Sequence, residues 1–88
     1  MTYRSDVDIV NSEYFKEMCI FLKQIKLEEY TINFIRNGFD DLNLLINQIK
    51  TELAINDLNL RDIGINLPGD RAKILIKLEE SKTHFKIF

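Results

Sequence analysis

Residues 27–53 read LEEYTINFIRNGFDDLNLLINQIKTEL, a pattern that predicts a helix, a glycine turn and a second helix. The first helix is expected over residues 27–37, with Glu28 near its start and Arg36 near its end, as the helix dipole favours. Gly38 follows as the stop, because glycine enters the left-handed conformation without a Cβ penalty. The apolar residues of this helix form one stripe: Leu27, Tyr30, Phe34 and Ile35.

The second helix of this stretch is predicted from the period of its apolar residues. They recur at i, i+3, i+4, i+7 and i+11, which is typical of an amphipathic helix: Leu42, Leu45, Ile46, Ile49 and Leu53. Asp40 or Asp41 is expected to cap its first turn, since a carboxylate oxygen accepts hydrogen bonds from the free N–H groups there. The stripe predicts that Leu53 belongs to this helix and faces the core.

One helix precedes this stretch. Apolar residues at helical spacing indicate it: Phe15, Met18, Cys19, Leu22 and Ile25. Asn11 and Ser12 are the expected N-cap residues, and the helix is expected to end near Gln24. Residues 1–12 are interpreted as an N-terminal tail, because the first ten carry no sustained apolar period.

A short helix follows, expected over residues 57–63. Asn56 is its predicted N-cap, and Ile55 and Leu60 have the spacing of a hydrophobic staple, in which the residue before the cap packs on the helix. Gly64 is the predicted stop.

The last helix is expected from about Pro68 to about Lys82. Proline is accepted in a first turn, because its missing N–H would have no partner within the helix there. Its apolar stripe, expected in the core, is Ile74, Leu75 and Leu78. The helical domain is therefore expected over residues 13–82, with residues 83–88 as a C-terminal tail.

The composition places the chain among small globular domains. It has 88 residues, of which 45% are hydrophobic and 30% are charged. Three glycines and one proline argue against an all-β fold, which needs frequent turns. We therefore predict an all-α fold, a compact bundle of five helices with short connections. No apolar run approaches the ~18–20 residues of a membrane span, and no signal peptide opens the sequence.

Catalysis, metal binding and cofactor binding are not indicated. Cys19 is the only cysteine, and its place on an apolar stripe predicts a buried, inert side chain. His84 lies in the expected tail, and the adjacent Asp40 and Asp41 diverge, so they do not share a proton. We expect no enzyme activity, no cofactor and no metal.

A lone cysteine indicates a reducing compartment, the cytoplasm or the nucleus, and we expect a cytoplasmic location.

Short motifs occur in one order along nearly the whole chain. They are Phe21-Leu22, Ile25, Leu27-Glu28-Glu29-Tyr30, Phe34, Asn37-Gly38-Phe39-Asp40-Asp41, Leu44-Leu45, Leu60-Arg61-Asp62-Ile63-Gly64-Ile65 and Gly69-Asp70-Arg71 with Ile74-Leu75. Over residues 14–80 this order resembles the sterile alpha motif (SAM) domain. The resemblance implies a five-helix bundle used for homotypic and heterotypic protein association in kinases, receptors, scaffolds and transcriptional regulators.

Three features depart from the family pattern. Phe21 stands where members often carry tryptophan. Members often open the last helix with Gly-His-Arg, and Asp70 here replaces the histidine, which adds a negative charge. Residues 46–55 are longer than usual by up to about two helical turns, close to a face that the family uses for contact.

The resemblance implies two unlike surfaces that meet head to tail. The end-helix surface corresponds by position to Ile65, Asn66, Leu67, Pro68, Gly69, Arg71, Lys73 and Lys77. The mid-loop surface corresponds to Asp40, Asp41, Glu52, Asp57 and Asp62. The first is mainly basic and the second mainly acidic, so they attract each other. We expect a homo- or hetero-oligomerisation module of a larger intracellular signalling protein such as a kinase or scaffold, with itself or another SAM domain as partner.

Simpler interpretations apply to the same residues. Lys73 and Lys77 are one turn apart and repel by a few tenths of a kcal/mol, which either solvent or a partner's carboxylates relieve. Leu67 is either an anchor for a partner or folds back on the core of its own chain.

The alternative function is binding of an RNA hairpin, which some members of the family perform. The basic residues for it would be Lys23, Lys26, Arg71, Lys73 and Lys77. The net charge of −2 and Asp70 disfavour contact with phosphate, so we expect no nucleic-acid partner. An inert packing domain is a further interpretation, and a lipid-binding role lacks a helix with one strongly basic face.

Overall fold

The computed structural model describes residues 13–86, and this part of the chain consists of helices joined by turns, without a strand. Its elements are α1 (Glu13–Lys23), a 3₁₀ helix (Glu28–Tyr30), α2 (Thr31–Arg36), α3 (Leu42–Gln48), α4 (Asp57–Asp62) and α5 (Pro68–Lys86). The chain divides into two units, residues 1–42 and residues 43–88. The predicted all-α fold with five helices is confirmed. The predicted caps Asn11 and Ser12 and the tail over residues 1–12 lie outside the described residues.

In the first unit, α1 packs against the 3₁₀ helix and α2. The buried residues of these elements and of the turn between them are Met18, Phe21, Leu22, Leu27, Thr31, Phe34 and Ile35. The predicted stripe of α1 is confirmed at Met18 and Leu22, whereas Phe15 and Cys19 are only half-buried. The expectation of a buried thiol is therefore met only in part.

The helix predicted over residues 27–37 is divided in two. Its first turn is 3₁₀, with the N–H of Tyr30 donating to the Leu27 carbonyl at 3.0 Å. α2 begins at Thr31, whose hydroxyl donates to the Glu28 carbonyl at 2.7 Å. A threonine hydroxyl that bonds to the preceding turn competes with the regular helix ladder, which accounts for the boundary.

Two helices end at the predicted glycines. The φ angle is 83° at Gly38 and 103° at Gly64. After Gly38 the N–H of Phe39 donates back to the Phe34 carbonyl at 2.9 Å, and the equivalent bond after Gly64 is 3.1 Å long. This is the Schellman pattern, which satisfies carbonyls that the helix end leaves free.

The end of α1 has the same pattern without a glycine. Lys26 takes the left-handed position, with a φ of 61°, and the Leu27 N–H donates to the Leu22 carbonyl at 2.9 Å. Lysine has no preference for this conformation, so its residue type did not indicate the stop.

Exchanges at these stops are expected to have opposite effects on stability. Gly38→Ala should lower the free energy of unfolding by about 1 kcal/mol, because a Cβ at Gly38 meets nothing within 4 Å and only backbone strain acts. Lys26→Gly should raise it by up to about 1 kcal/mol, since it removes that strain. Urea denaturation of both variants measures the two changes in the free energy of unfolding. Changes in the same direction would contradict the proposed role of backbone strain.

In the second unit, the turn after α3 replaces the predicted continuation of the helix. α3 ends at Gln48, and Leu53 is 74% exposed, so the prediction that Leu53 faces the core is wrong. The Thr51 hydroxyl donates to the Gln48 carbonyl at 2.6 Å and accepts from the Leu53 N–H at 3.2 Å. These bonds, together with the left-handed Lys50, bend the chain away from the helix axis.

A lysine from α5 closes the end of α3. Lys82 Nζ donates to the Asn47 carbonyl at 2.9 Å and also to the Ile49 carbonyl. Lys50 and Glu79 form an ion pair nearby, with 3.6 Å between Nζ and Oε1. A cation at a helix C-terminus is favoured by both its hydrogen bonds and the helix dipole, which fixes this turn against α5.

α4 begins as predicted. The Asn56 side chain accepts from the Asn59 N–H at 2.9 Å, and the Asn59 side chain accepts from the Asn56 N–H at 3.0 Å. Ile55 and Leu60, the predicted staple pair, are both buried. The reciprocal bonds form a capping box, which stabilises so short a helix at its start.

α5 extends to Lys86 rather than to about Lys82. Ile74 and Leu78 are buried as predicted, whereas Leu75 is only half-buried, so its place in the predicted core is corrected. The inward face of α5 follows positions i, i+3 and i+7 from Arg71, which leaves Leu75 at the flank.

Candidate functional site

The start of α5 exposes an apolar residue beside open backbone. Leu67 lies directly before α5 and is 61% exposed, so it does not fold back on the core. Asn66, Pro68 and Gly69 beside it are exposed as well. A Cβ added at Gly69 would meet nothing within 4 Å, which leaves room for the backbone of another molecule to approach.

Hydrogen bonds hold the backbone on both sides of Leu67. The Leu67 carbonyl accepts from the N–H groups of Asp70 at 3.0 Å and Arg71 at 3.2 Å, which are the first bonds of α5. The Ile65 N–H donates to the Leu60 carbonyl at 3.1 Å. Ile65 is fully buried, so its side chain, which the resemblance assigned to the end-helix surface, is not available to a partner.

Arg71, which was expected to meet a partner, points inward. It is 8% exposed, its Nε donates to Asp57 Oδ1 at 2.7 Å and its Nη1 donates to the Ile65 carbonyl at 2.9 Å. A buried guanidinium needs such partners, because an unpaired buried charge is strongly destabilising. One cation assigned to the end-helix surface and one anion assigned to the mid-loop surface are therefore paired within the same unit.

Two lysines supply the remaining positive charge of the end-helix surface. Lys73 is exposed on α5. Lys77 is half-buried and takes part in an interaction within the chain, as does Asp70 one turn before Lys73. Lys73 is therefore the cation in this surface that is most accessible to a second molecule.

The predicted acidic residues fall into both units. Glu52 lies exposed in the turn after α3, and Asp62 lies exposed as the last residue of α4. Asp57 keeps 63% of its side chain exposed although it pairs with Arg71. Asp40 and Asp41 belong to the first unit, where both are half-buried and both take part in interactions within the chain.

The basic residues proposed for RNA binding are also divided. Lys23 and Lys26 are exposed in the first unit, while Arg71, Lys73 and Lys77 belong to the second. Because Arg71 is paired internally, one fewer cation is available for phosphate.

Residues 13–86 assemble no group of three or more His, Cys, Asp or Glu that would hold a metal ion. The side chain of His84 lies outside the described part of the chain. Within that part, no helix combines the length and apolarity that crossing a membrane requires.

Two residues of the second unit had no functional role in the sequence analysis. Leu53 is exposed directly beside Glu52, which adds an apolar contact to an acidic turn. Leu53 fits the apolar period of the preceding helix, so the sequence pattern predicted a core residue and gave no sign that it is exposed. Lys82 closes α3 from a position 33 residues beyond Ile49, a separation at which no sequence pattern connects the two.

The family model for the SAM domain (sterile alpha motif) matches residues 10–82. No curated protein and no solved structure matches the chain.

Proposed function

Because the chain belongs to the sterile alpha motif family, a family of protein-interaction modules, we propose that it associates with itself or with another SAM domain through two unlike surfaces. Members of the family are generally non-catalytic, and we propose that this chain, too, acts by binding alone.

The observation that carries the proposal is the exposed Leu67, whose carbonyl accepts the first two hydrogen bonds of α5. Burial of a leucine side chain contributes about 1.5–3 kcal/mol, and a rigid segment loses little entropy when it binds. Lys73 is exposed on the same helix, and Gly69 leaves the surface open. The end-helix surface thus combines an apolar anchor with one accessible cation, which suits a partner that is apolar and acidic.

The mid-loop surface offers such a partner in the second unit. Glu52 and Leu53 lie exposed side by side in the turn after α3. Asp62 is an anion at the C-terminal end of α4, where the helix dipole disfavours it. A cation of a second molecule would offset that repulsion. We propose Glu52 and Asp62 as the accessible carboxylates of this surface.

A contact between two unlike surfaces leaves one of each free on the assembled pair. It therefore propagates into an open chain unless a ring closes. Such assembly raises the effective concentration of attached domains without new chemistry. We propose that the chain serves this purpose in a larger cytoplasmic signalling protein, such as a kinase or scaffold.

Two variants that each disable one surface test the proposal. Leu67→Asp removes the apolar anchor, and the double variant Glu52→Lys/Asp62→Lys reverses the accessible acidic charge. In sedimentation velocity, the unmodified chain should sediment faster as its concentration rises, and each variant alone should remain monomeric. Equal amounts of the two variants should form a one-to-one complex, because one intact surface of each kind remains.

The controls alter exposed residues outside both surfaces. Ile20→Asp introduces the same acidic residue at an exposed apolar position of α1, and Glu80→Lys reverses an exposed charge on α5. Both should associate like the unmodified chain. Self-association is refuted if the unmodified chain stays monomeric at about millimolar concentration, where contacts of about 4 kcal/mol are still detectable. Unchanged association of Leu67→Asp would refute the surface assignment.

A further inference from the structure

We infer that Arg71 and Asp57 are positioning residues for the end-helix surface: together they hold the segment that displays Leu67, and neither meets the partner as a free charge. This inference rests on the proposed function. It differs from the expectation drawn from the sequence. There, Arg71 attracted a partner's carboxylate directly, and Asp57 on the mid-loop surface attracted a partner's cation.

The contacts of the Arg71 side chain carry the inference. Its guanidinium joins two places that are distant in sequence, the first residue of α4 through Asp57 Oδ1 at 2.7 Å and the Ile65 carbonyl at 2.9 Å. The Ile65 carbonyl lies two residues before Leu67, and the Leu67 carbonyl accepts the first two N–H bonds of α5. The backbone of residues 65–67 is thereby held from α4 and from α5.

Burial excludes a direct role for the guanidinium. Arg71 is 8% exposed, and two of its donors are already used inside the unit. Arginine suits this task, because its planar fork offers several donors in fixed directions, whereas lysine has one compact charge. The partner therefore contacts the segment that Arg71 holds in place, residues 65–67, and Lys73 supplies the accessible positive charge.

The two possible roles of Arg71, free charge or positioning residue, predict opposite changes in binding affinity when the Asp57 carboxylate is removed. If Arg71 acted as a free charge, Asp57→Ala would release it and strengthen binding of an acidic partner. If the pair positions the segment, the same variant loosens residues 65–67, and binding weakens because the partner must then order them.

The measurement uses the two single-surface variants as a reference pair. Asp57→Ala is introduced into the Glu52→Lys/Asp62→Lys chain, which can bind only through its end-helix surface, and the Leu67→Asp chain is titrated against it by calorimetry. We expect binding about tenfold weaker than in the reference pair, as loss of a charged hydrogen bond that orders a loop predicts. Asp57→Asn keeps the accepting oxygen without the charge and should restore part of the affinity, whereas Arg71→Lys keeps the charge but loses the fork and should restore none.

Amide hydrogen exchange separates positioning from general destabilisation. Asp57→Ala should speed exchange at the Ile65 amide, while the amides of Ile74 and Leu78 in the core of α5 stay protected. Glu80→Ala, which removes an exposed carboxylate elsewhere on α5, should change neither binding nor exchange.

The outcomes distinguish the two proposals. A reference pair that does not bind refutes the proposed function and, with it, this inference. A reference pair whose binding Asp57→Ala leaves unchanged or strengthens refutes the inference alone. Full affinity in Arg71→Lys would also refute the inference, because it would show that binding requires only a positive charge at this position and not the two hydrogen bonds of the guanidinium.

Discussion

Phe34→Ala is expected to lower the free energy of unfolding by about 3–5 kcal/mol, which is a large part of the stability of a domain this small. Phe34 is 1% exposed and is the largest of the fully buried side chains. Its removal loses the transfer free energy of the ring and leaves a cavity, because a closely packed core relaxes only partly around a deleted side chain.

Urea denaturation followed by circular dichroism measures this loss. Ile32→Ala is the matched control on the same helix, because its side chain is exposed and alanine favours the helical conformation. We expect that control to change the free energy of unfolding by at most about 0.5 kcal/mol. A Phe34→Ala variant within about 1 kcal/mol of the unmodified chain would show that the ring is not a core residue.

Ile74→Ala and Ile76→Ala should separate by about 2–4 kcal/mol, although they make the same chemical change two residues apart on α5. Ile74 is 0% exposed and Ile76 is 58% exposed. Helix propensity changes equally in both, so the difference between the two variants reports burial alone. The half-buried Leu75 should give an intermediate loss as Leu75→Ala, rather than the full core value that its place in the predicted stripe implied.

Thermal and urea denaturation of the three variants rank them by their loss of stability. Two results would contradict this arrangement of α5: Leu75→Ala as destabilising as Ile74→Ala, or Ile76→Ala more destabilising than Ile74→Ala. Either result would mean that the inward face of α5 does not follow Arg71, Ile74 and Leu78.

The family resemblance gave a position for the proposed site, but not the contacts that its residues make. The exposed segment around Leu67 and the exposed Lys73 lie where the family resemblance places an interaction surface. The resemblance could not show that Arg71 turns inward. A residue's charge indicates that it needs a partner, whereas the position of that partner depends on where the chain brings Asp57 and the Ile65 carbonyl.

Local signals in the sequence determined the helices and most of their ends. The Asn56 capping box, the stops at Gly38 and Gly64 and the buried stripes act over a few residues, so the responsible atoms are neighbours in the chain. Only the tertiary structure decided that Lys82 closes the end of α3 and that Arg71 pairs with Asp57. Those contacts join residues 14 to 35 positions apart, and such pairs meet only after the whole unit has folded.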